Sequence, residues 1–216
     1  MAALPTNIIV EILSKLPVKS LLRFQCICKS WQSLIKSPYF IKIQFNQTLT
    51  SHSNLHLLAS VEHSSLHCSE LDLCHDQVSF SFSALHHPLK PRQPITIVGS
   101  YNGVVCISNI SKSDVCLYNP LTKSHRKLPA SKMSIPNINM TVFGFGYDRN
   151  NDDYKVLRIV QGLGKIDDSK NKAEVFSLQS NSRKSIQGIP YSLYYGYYVG
   201  VLVNEALHCG YSRIEF

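Results

Sequence analysis

The sequence predicts an α+β protein whose helices and strands belong to separate domains. Three observations predict it. Apolar residues recur at helical spacing within the first 45 residues, where two prolines divide them into short runs. From Ile95 onward, short β-type runs alternate with turn signals, and no helix of moderate length is evident after Lys42. The expected fold is a three-helix unit followed by an all-β, propeller-like domain.

Three short helices are predicted before Pro38. Thr6 is expected to cap the first helix, and Pro17 ends it and suits the start of the second. The third helix is expected to begin near Cys28 or Ser30 and to stop at Pro38. The apolar residues of the first helix share one broad face: Ile8, Ile9, Ile12, Leu13 and Leu16. About forty residues are too few to bury all of this apolar surface, so the unit is expected to have a partner.

The chain is accordingly divided into residues 1–45, residues 46–94 and residues 95–216. The middle part, rich in serine and histidine, is expected to be a linker with weak edge strands at Leu55–Val61 and Val78–Phe82. The strands predicted in the last part are Ile95–Val98, Val104–Ser108, Asp114–Tyr118, Thr141–Tyr147, Tyr154–Val160, Ala173–Leu178, Tyr197–Val203 and Ala206–Tyr211.

Turn signals separate these strands. Asn102-Gly103 predicts a tight hairpin turn, and Asp148–Asp153 predicts a polar hairpin tip. A weak internal echo is also present: Val115 leads through Arg126 to a Leu-Pro, and Val175 leads through Arg183 to an Ile-Pro. Repeated strand pairs of this kind favour a propeller-like array.

The bulk composition is that of a folded protein, with 44% hydrophobic and 17% charged residues. No secretory signal and no run of about 18 apolar residues is found, so membrane insertion is not expected. Seven cysteines without compact spacing suggest free thiols in a reducing compartment, the cytoplasm or the nucleus. The first 45 residues carry six lysines and arginines against one glutamate, which suits an acidic partner.

The N-terminal motifs resemble the F-box. They are a Leu-Pro at Leu4, a helix that ends in Leu-Pro-Val-Lys-Ser-Leu-Leu-Arg-Phe24, and Cys-Lys-Ser-Trp31 with Leu34, between Leu4 and Phe45. This resemblance implies binding to an acidic Skp-type adaptor and, through it, to a cullin. The residues to which it assigns adaptor binding are Leu4, Pro5, Ile8, Ile12, Leu13, Leu16, Leu21, Leu22, Cys28 and Trp31. The alternative interpretation is that these apolar residues pack only with one another in a three-helix core, which is the favoured role for Trp31.

Four landmarks in the rest of the chain resemble the plant F-box-associated interaction domain. They are Gly99–Cys106, Leu117–Pro129, Gly144–Val156 and Gly200–His208. The family is kelch-like, all-β and target-binding, so the resemblance implies the substrate receptor of a Skp–cullin–F-box ubiquitin ligase. Cys209 departs from the tryptophan that is common there. Since about 120 residues suffice for two or three blades, an incomplete domain is expected.

An alternative from the charge pattern is a basic helical module that binds nucleic acid, joined to a β interaction domain. Lys15, Lys19, Arg23 and Lys29 favour it, but no helix rich in base-reading side chains is visible. Partners in the form of nucleic acid or a membrane are therefore not expected.

No cofactor, metal site or catalytic residue is predicted. The histidines and cysteines from His63 to His75 lack the paired spacing of zinc ligands, and the loop that begins at Asp148 lacks the glycine and glutamate of a calcium loop. Gly162–Lys165 lacks the pattern of a phosphate loop, and no nucleophile–base pair is found. The tyrosines between Tyr191 and Tyr198 are expected to pack on strands, with a target-binding surface as the alternative.

Overall fold

The computed structural model describes residues 4–51, 55–61, 65–71, 80–89, 93–109, 111, 113–133, 141–161, 172–186, 199–203 and 206–208. The chain divides into two compact units. The first contains the helices, nearly all of the first three strands and Pro120–Ser124, and the second contains the remaining strands. The α+β class and the three predicted helices are confirmed.

The first unit has four helices. They are α1 (Thr6–Ser14), α2 (Val18–Phe24), α3 (Lys29–Lys36) and α4 (Pro38–Ser51). The expectation that Thr6 caps α1 is wrong, because the N-cap residue is Pro5 and no side chain caps this helix. The carbonyl oxygen of Pro5 instead accepts the backbone N–H groups of Ile8 and Ile9, at 3.1 and 3.2 Å.

The expectation that no helix of moderate length follows Lys42 is also wrong, since α4 extends to Ser51. Pro38 not only ends α3 but also occupies the first turn of α4, where proline is well tolerated. Ser37 Oγ caps the new helix by accepting the N–H of Phe40 at 3.2 Å. Thr48 and Thr50 have low helix propensity, which is why the sequence did not predict a helix here. In the structure each hydroxyl donates to the carbonyl oxygen four residues earlier at 3.0 Å.

The helical core takes one fully buried side chain from each helix. These are Leu13, Leu21, Ile35 and Phe40. The burial of each of these side chains stabilises the folded unit by about 1.5–3 kcal/mol. The fourth helix therefore belongs to the core of the helical unit, through Phe40.

The strands form three sheets. They are β1 (Leu55–Val61), β2 (Ser65–Leu71), β3 (Ser83–Leu85), β4 (Ile95–Tyr101), β5 (Val104–Asn109), β6 (Val115–Tyr118), β7 (His125–Lys127), β8 (Thr141–Asp148), β9 (Asp153–Val160), β10 (Lys172–Ser177), β11 (Ser182–Ile186), β12 (Val199–Val203) and β13 (Ala206–His208). The sheet orders are β1-β2-β3, β4-β5-β6-β7 and β11-β10-β9-β8-β12-β13. Neighbours pair antiparallel where a register is described, except β12, which runs parallel to β8.

A strand is present at each position predicted after residue 95, with bounds that differ by a few residues. Sequence reasoning missed β2, β3, β7 and β11. β7 and β11 are short and mostly exposed, so they lack the apolar alternation that marks a half-buried strand. The expected edge strand Val78–Phe82 is wrong in its described part, because residues 80–82 are not in a strand and β3 begins only at Ser83. Residues 78–79 and the tyrosines from Tyr191 to Tyr198 lie outside the described residues.

The predicted turns are confirmed. Asn102 and Gly103 have φ angles of 51° and 74°, as a two-residue turn between β4 and β5 requires. Asp148 pairs with Asp153 at the tip of the β8–β9 hairpin. Asp148 also accepts both the backbone N–H and the side-chain amide of Asn151, so the tip is held by the carboxylate that the sequence places there.

The internal echo corresponds to two strand pairs with the same local pattern. Leu117 on β6 pairs with Arg126 on β7, and Phe176 on β10 pairs with Arg183 on β11. Each pair places a buried apolar residue beside an arginine on the outermost strand of its sheet. The echo therefore reflects a repeated hairpin, as expected for a propeller-like array.

The two larger sheets share one core. The four-stranded sheet contributes Val98, Cys106 and Leu117, and the six-stranded sheet contributes Phe145 and Phe176, among others. The two sheets approach closely at Gly99, where a Cβ atom would lie 3.4 Å from the Cβ of Phe145. A side chain at this position would therefore lie directly against Phe145 of the facing sheet.

A buried carboxylate lies on the core side of the six-stranded sheet. Glu174 Oε1 accepts a hydrogen bond from Arg183 at 2.9 Å and lies 3.5 Å from Arg158 on the neighbouring strand. The guanidinium of Arg158 also lies 6.0 Å from the ring centre of Phe143. Burial lowers the pKa of Arg158, while the charge of Glu174 opposes that shift.

We predict that Glu174→Gln lowers the free energy of unfolding by about 3 kcal/mol, because two guanidinium groups would lose the carboxylate that compensates their burial. Urea unfolding followed by the far-UV circular dichroism of the strands measures this. Glu70→Gln, at an exposed position on β2, is the matched control and should change stability by less than about 0.5 kcal/mol. Equal unfolding midpoints for the two variants would show that the buried charges contribute nothing.

Candidate functional site

Helix α1 and the residues just before it expose a stripe of apolar side chains. Leu4, Ile8 and Ile12 are four residues apart and are 62%, 38% and 52% exposed. Residues four apart lie one above the other on a helix, so Ile8 and Ile12 occupy one side of α1, and Leu4 precedes them just before the helix begins. We call these three residues the α1 stripe.

The same helix buries a different side. Leu13 is fully buried in the helical core, and Ile9 and Leu16 pack against that core. Successive helical residues are rotated by about 100°, so Ile8 and Ile9, or Ile12 and Leu13, face different directions. The helix is apolar on two sides, and only one of them is used within the unit.

The structure separates the ten residues assigned to adaptor binding into three groups by burial. The exposed residues are Leu4, Pro5, Ile8, Ile12 and Cys28, and the half-buried ones are Leu16, Leu22 and Trp31. Leu13 and Leu21 are buried in the core. Their side chains support the surface from inside, and a direct contact of either with a partner would require the helices to separate.

Trp31 lies at the border between core and surface. Its ring meets that of Phe24 edge to face, with centroids 5.7 Å apart and an interplanar angle of 79°. Such a pair contributes about 0.5–1.5 kcal/mol beyond the area that it buries. Trp31 thus fixes α3 against α2 and leaves part of its indole accessible.

Ile27 is an exposed apolar residue that sequence reasoning missed. It lies in the turn between α2 and α3, beside Cys28, and is largely exposed. An isoleucine between two helices that are too short to bury it is the sequence signal that could have found it.

The surface around these residues is positive. Lys19, Arg23, Lys29, Lys36 and Lys42 are exposed on the helices. Lys15 forms an exposed ion pair with Glu11 at 3.1 Å, so the single carboxylate of the helices is already engaged. A pair of this kind contributes only about 0.3–0.5 kcal/mol, and the net field of the unit stays positive.

Cys28 is the N-cap residue of α3 and an exposed thiol. Its sulfur lies 3.1 Å from Ser30 Oγ. The hydrogen bond from the Ser30 hydroxyl lowers the pKa of the Cys28 thiol, and backbone N–H groups at the start of α3 act in the same direction. Cys28 is therefore a polar feature of the surface as well as a small apolar one.

Within the described part of the chain, no group of three or more histidine, cysteine, aspartate or glutamate residues is arranged to hold a metal ion. Of the helices described here, none has the length and apolar character needed to cross a membrane. The clusters considered for zinc lie partly outside the described residues, at His63, Cys74 and His75.

Comparison with protein-family models matches residues 1–207 of the chain. Residues 1–43 match the F-box domain, and residues 44–207 match the F-box associated beta propeller domain. The chain belongs to the F-box protein family. The resemblance noted in its motifs is thereby confirmed for both parts of this F-box protein.

Three Arabidopsis thaliana relatives illustrate the similarity. F-box protein CPR1 is 34% identical over 96% of this chain and 53% of its own length. F-box protein At4g22390 is 33% identical over 96% of this chain and 54% of its own. F-box/kelch-repeat protein At3g23880 is 28% identical over 87% of this chain and 52% of its own. The F-box protein described here spans about half the length of the curated relatives that it matches.

We predict that Leu13→Ala and Ile12→Ala differ sharply in stability, although the two residues are neighbours. Leu13→Ala should cost about 2–5 kcal/mol because it leaves a cavity in the core, and Ile12→Ala should cost less than about 1 kcal/mol. Trp31 is the only tryptophan, so its fluorescence in a urea titration reports the helical unit selectively. Similar losses in both variants would mean that the α1 stripe is also part of the core.

We predict that Ser30→Ala slows the alkylation of Cys28 by iodoacetamide near neutral pH. The reactive species is the thiolate, and loss of the Ser30 hydroxyl removes the largest cause of its lowered pKa. Mass spectrometry of the Cys28 peptide at a series of pH values gives the midpoint, which should rise. Ser33→Ala, at an exposed position on the same helix, is the control and should leave the midpoint unchanged.

Proposed function

We propose that this F-box protein is the substrate-recognition subunit of a Skp–cullin–F-box ubiquitin ligase. Its helical unit binds the Skp-type adaptor and through it the cullin, and its β unit binds a target protein. The proposed location is the cytoplasm, the nucleus or both. The family supports this role, and the α1 stripe is the observation that carries the adaptor contact.

The energetics of the α1 stripe support a stable contact. Burial of an exposed isoleucine or leucine is worth up to about 1.5–3 kcal/mol, in proportion to the area that is still exposed. The exposed side chains of this kind in the helical unit include Leu4, Ile8 and Ile12. Ile27, in the turn between α2 and α3, adds another. Their combined burial exceeds what one exposed pair of charges contributes, so the contact depends mainly on apolar area.

Charge contributes orientation. The helices carry exposed lysines and arginines against one glutamate that is already paired. An acidic adaptor is attracted to this surface over several ångströms, which raises the association rate and weakens with added salt.

The proposed mechanism is proximity. A receptor that holds its target on the same assembly as the ubiquitin-charged enzyme raises the effective concentration of the two reactants. The chain itself supplies binding and orientation, and we propose no catalytic side chain in it.

We predict that Ile12→Glu weakens binding to a Skp-type adaptor at least about tenfold. The substitution removes apolar contact and places a carboxylate in an interface that excludes water. Leu49→Glu is the matched control, because Leu49 is 55% exposed on the last turn of α4 and makes the same change of charge. Isothermal titration of purified full chain with the adaptor gives both affinities.

The Trp31 fluorescence of each variant shows whether the helical unit is still folded, which separates loss of contact from loss of structure. Equal affinities for Ile12→Glu and the wild type would remove the α1 stripe from the interface. Duplex DNA that binds the helical unit more tightly than the adaptor does, with a steep salt dependence, would favour the nucleic-acid alternative instead.

A further inference from the structure

β7 and β11 are outermost strands of the two larger sheets, and both belong to the second unit. Arg126 on β7 donates a hydrogen bond to Asn181 Oδ1, in the turn before β11, at 2.8 Å. Arg183 on β11 donates in return to the carbonyl oxygen of Pro129, which follows β7. Two arginines therefore connect β7 to β11. We call these two strands, with their exposed basic side chains, the rim.

The rim is basic along its whole length. β7 and β11 together contain four lysines and arginines and no aspartate or glutamate. Two of these cations are already committed: Lys127 pairs with Asp114 at 2.8 Å, and Arg183 with buried Glu174. Arg126 and Lys184 remain exposed on the strands themselves, and they supply the charge that a partner would meet.

The rim also presents main-chain groups. Among the described strands, β11 hydrogen-bonds to β10 alone, and β7 to β6 alone. Alternate N–H and C=O groups of such an edge strand point away from the sheet and can pair with an additional strand. β11 is the longer of the two, with five residues against three.

The side chains of β11 alternate in a way that defines what could pair with it. Arg183 lies on the core side, beside Phe176, with its guanidinium carbon 5.2 Å from the ring centre. Lys184 and Ile186 lie on the opposite side and are both exposed. A strand added along β11 would meet a cation and, two residues later, an apolar side chain.

We propose that the rim binds an acidic, extended segment of the target protein, which adds to the sheet along β11. The segment would place a carboxylate near Lys184 or Arg126 and an apolar side chain near Ile186. This inference deepens the proposed role of the β unit in target binding and rests on it. It assigns that unit a position for the target and a chemical class of sequence.

A protein segment fits this surface better than a nucleic acid does. A nucleic acid follows arrays of uncompensated lysines and arginines, whereas Lys127 and Arg183 of the rim are neutralised by carboxylates. Main-chain pairing gives affinity to a peptide strand and nothing to a phosphate backbone, and Ile186 gives preference for an apolar neighbour.

The test uses the full chain and a short fluorescent peptide of alternating glutamate and valine, followed by fluorescence anisotropy. Lys184→Glu should weaken binding at least about tenfold, through loss of an attraction and gain of a repulsion. Lys172→Glu is the matched control: it makes the same charge change at the exposed first residue of β10, on the opposite face of the sheet from Lys184, and should leave peptide affinity unchanged.

Two further probes distinguish strand addition from simple charge attraction. The same peptide with an N-methyl group on every amide keeps its charge but has no N–H to donate from either edge, and it should bind at least about tenfold more weakly. A lysine–valine peptide should not bind. Equal binding of the methylated and unmethylated peptides would overturn strand addition, and equal affinities of wild type and Lys184→Glu would overturn the rim as the site.

Two other outcomes would assign the rim to a different ligand. A single-stranded oligonucleotide that competes for the rim with higher affinity than the acidic peptide would assign the surface to nucleic acid instead. A dimer in sedimentation that dissociates in Lys184→Glu would assign β11 to a second copy of the chain. Adaptor binding is measured on the same samples, so a failed rim with intact adaptor binding refutes this inference alone, and lost adaptor binding with an intact rim refutes the proposed ligase role.

Discussion

The contact between Phe145 and the backbone at Gly99 is the constraint on which the second unit depends. It is a point of close approach between the two larger sheets, and Phe145 belongs to the core that buried residues of both sheets form. A protein interior is packed as densely as an organic crystal, so the spacing set at this point is transmitted along both sheets.

The helical unit follows a different rule, because it is too small to use all of its apolar residues. Four helices contribute one fully buried side chain each, and α1 still exposes a second apolar side. In most small proteins such a surface is avoided, since exposed apolar patches favour association. The α1 stripe is the surface that the proposed adaptor contact would use, so stability and the proposed binding are divided between adjacent residues of one helix.

Much of this architecture could be predicted from the sequence, because its signals are local. Asn102-Gly103 determines a turn by backbone sterics alone, and Pro17 separates two helices in the same way. α4 could not be predicted, because its cap comes from Ser37 and its last turns from threonine hydroxyls, which do not follow an apolar period. The strands β7 and β11 were missed for a related reason. They are mostly exposed strands at the edge of a sheet, so their residues show no apolar alternation.

The candidate surface was predictable in its location but not in its burial. Motifs identified the segment from Leu4 to Trp31. Ile12 and Leu13, however, are both large aliphatic residues, and only the packing of the other helices shows that Leu13 is the buried one. Ile27 was missed because a single apolar residue in a turn has no period to reveal it. Charge was more informative, since lysines and arginines lie on the surface wherever they occur in these helices.

The alternation along β11 has a consequence for how such a protein can evolve. Arg183 holds Glu174 and the segment after β7, so its replacement disturbs the buried charges and the join between two sheets at once. Lys184, one residue later, has its side chain on the exposed face of the strand. In the proposed mode of target binding, residue 184 and its alternate neighbours would meet the target, and their replacement would leave the scaffold unaltered. One strand would then hold a fixed position and a variable position next to each other, so that recognition could change while the framework stays the same.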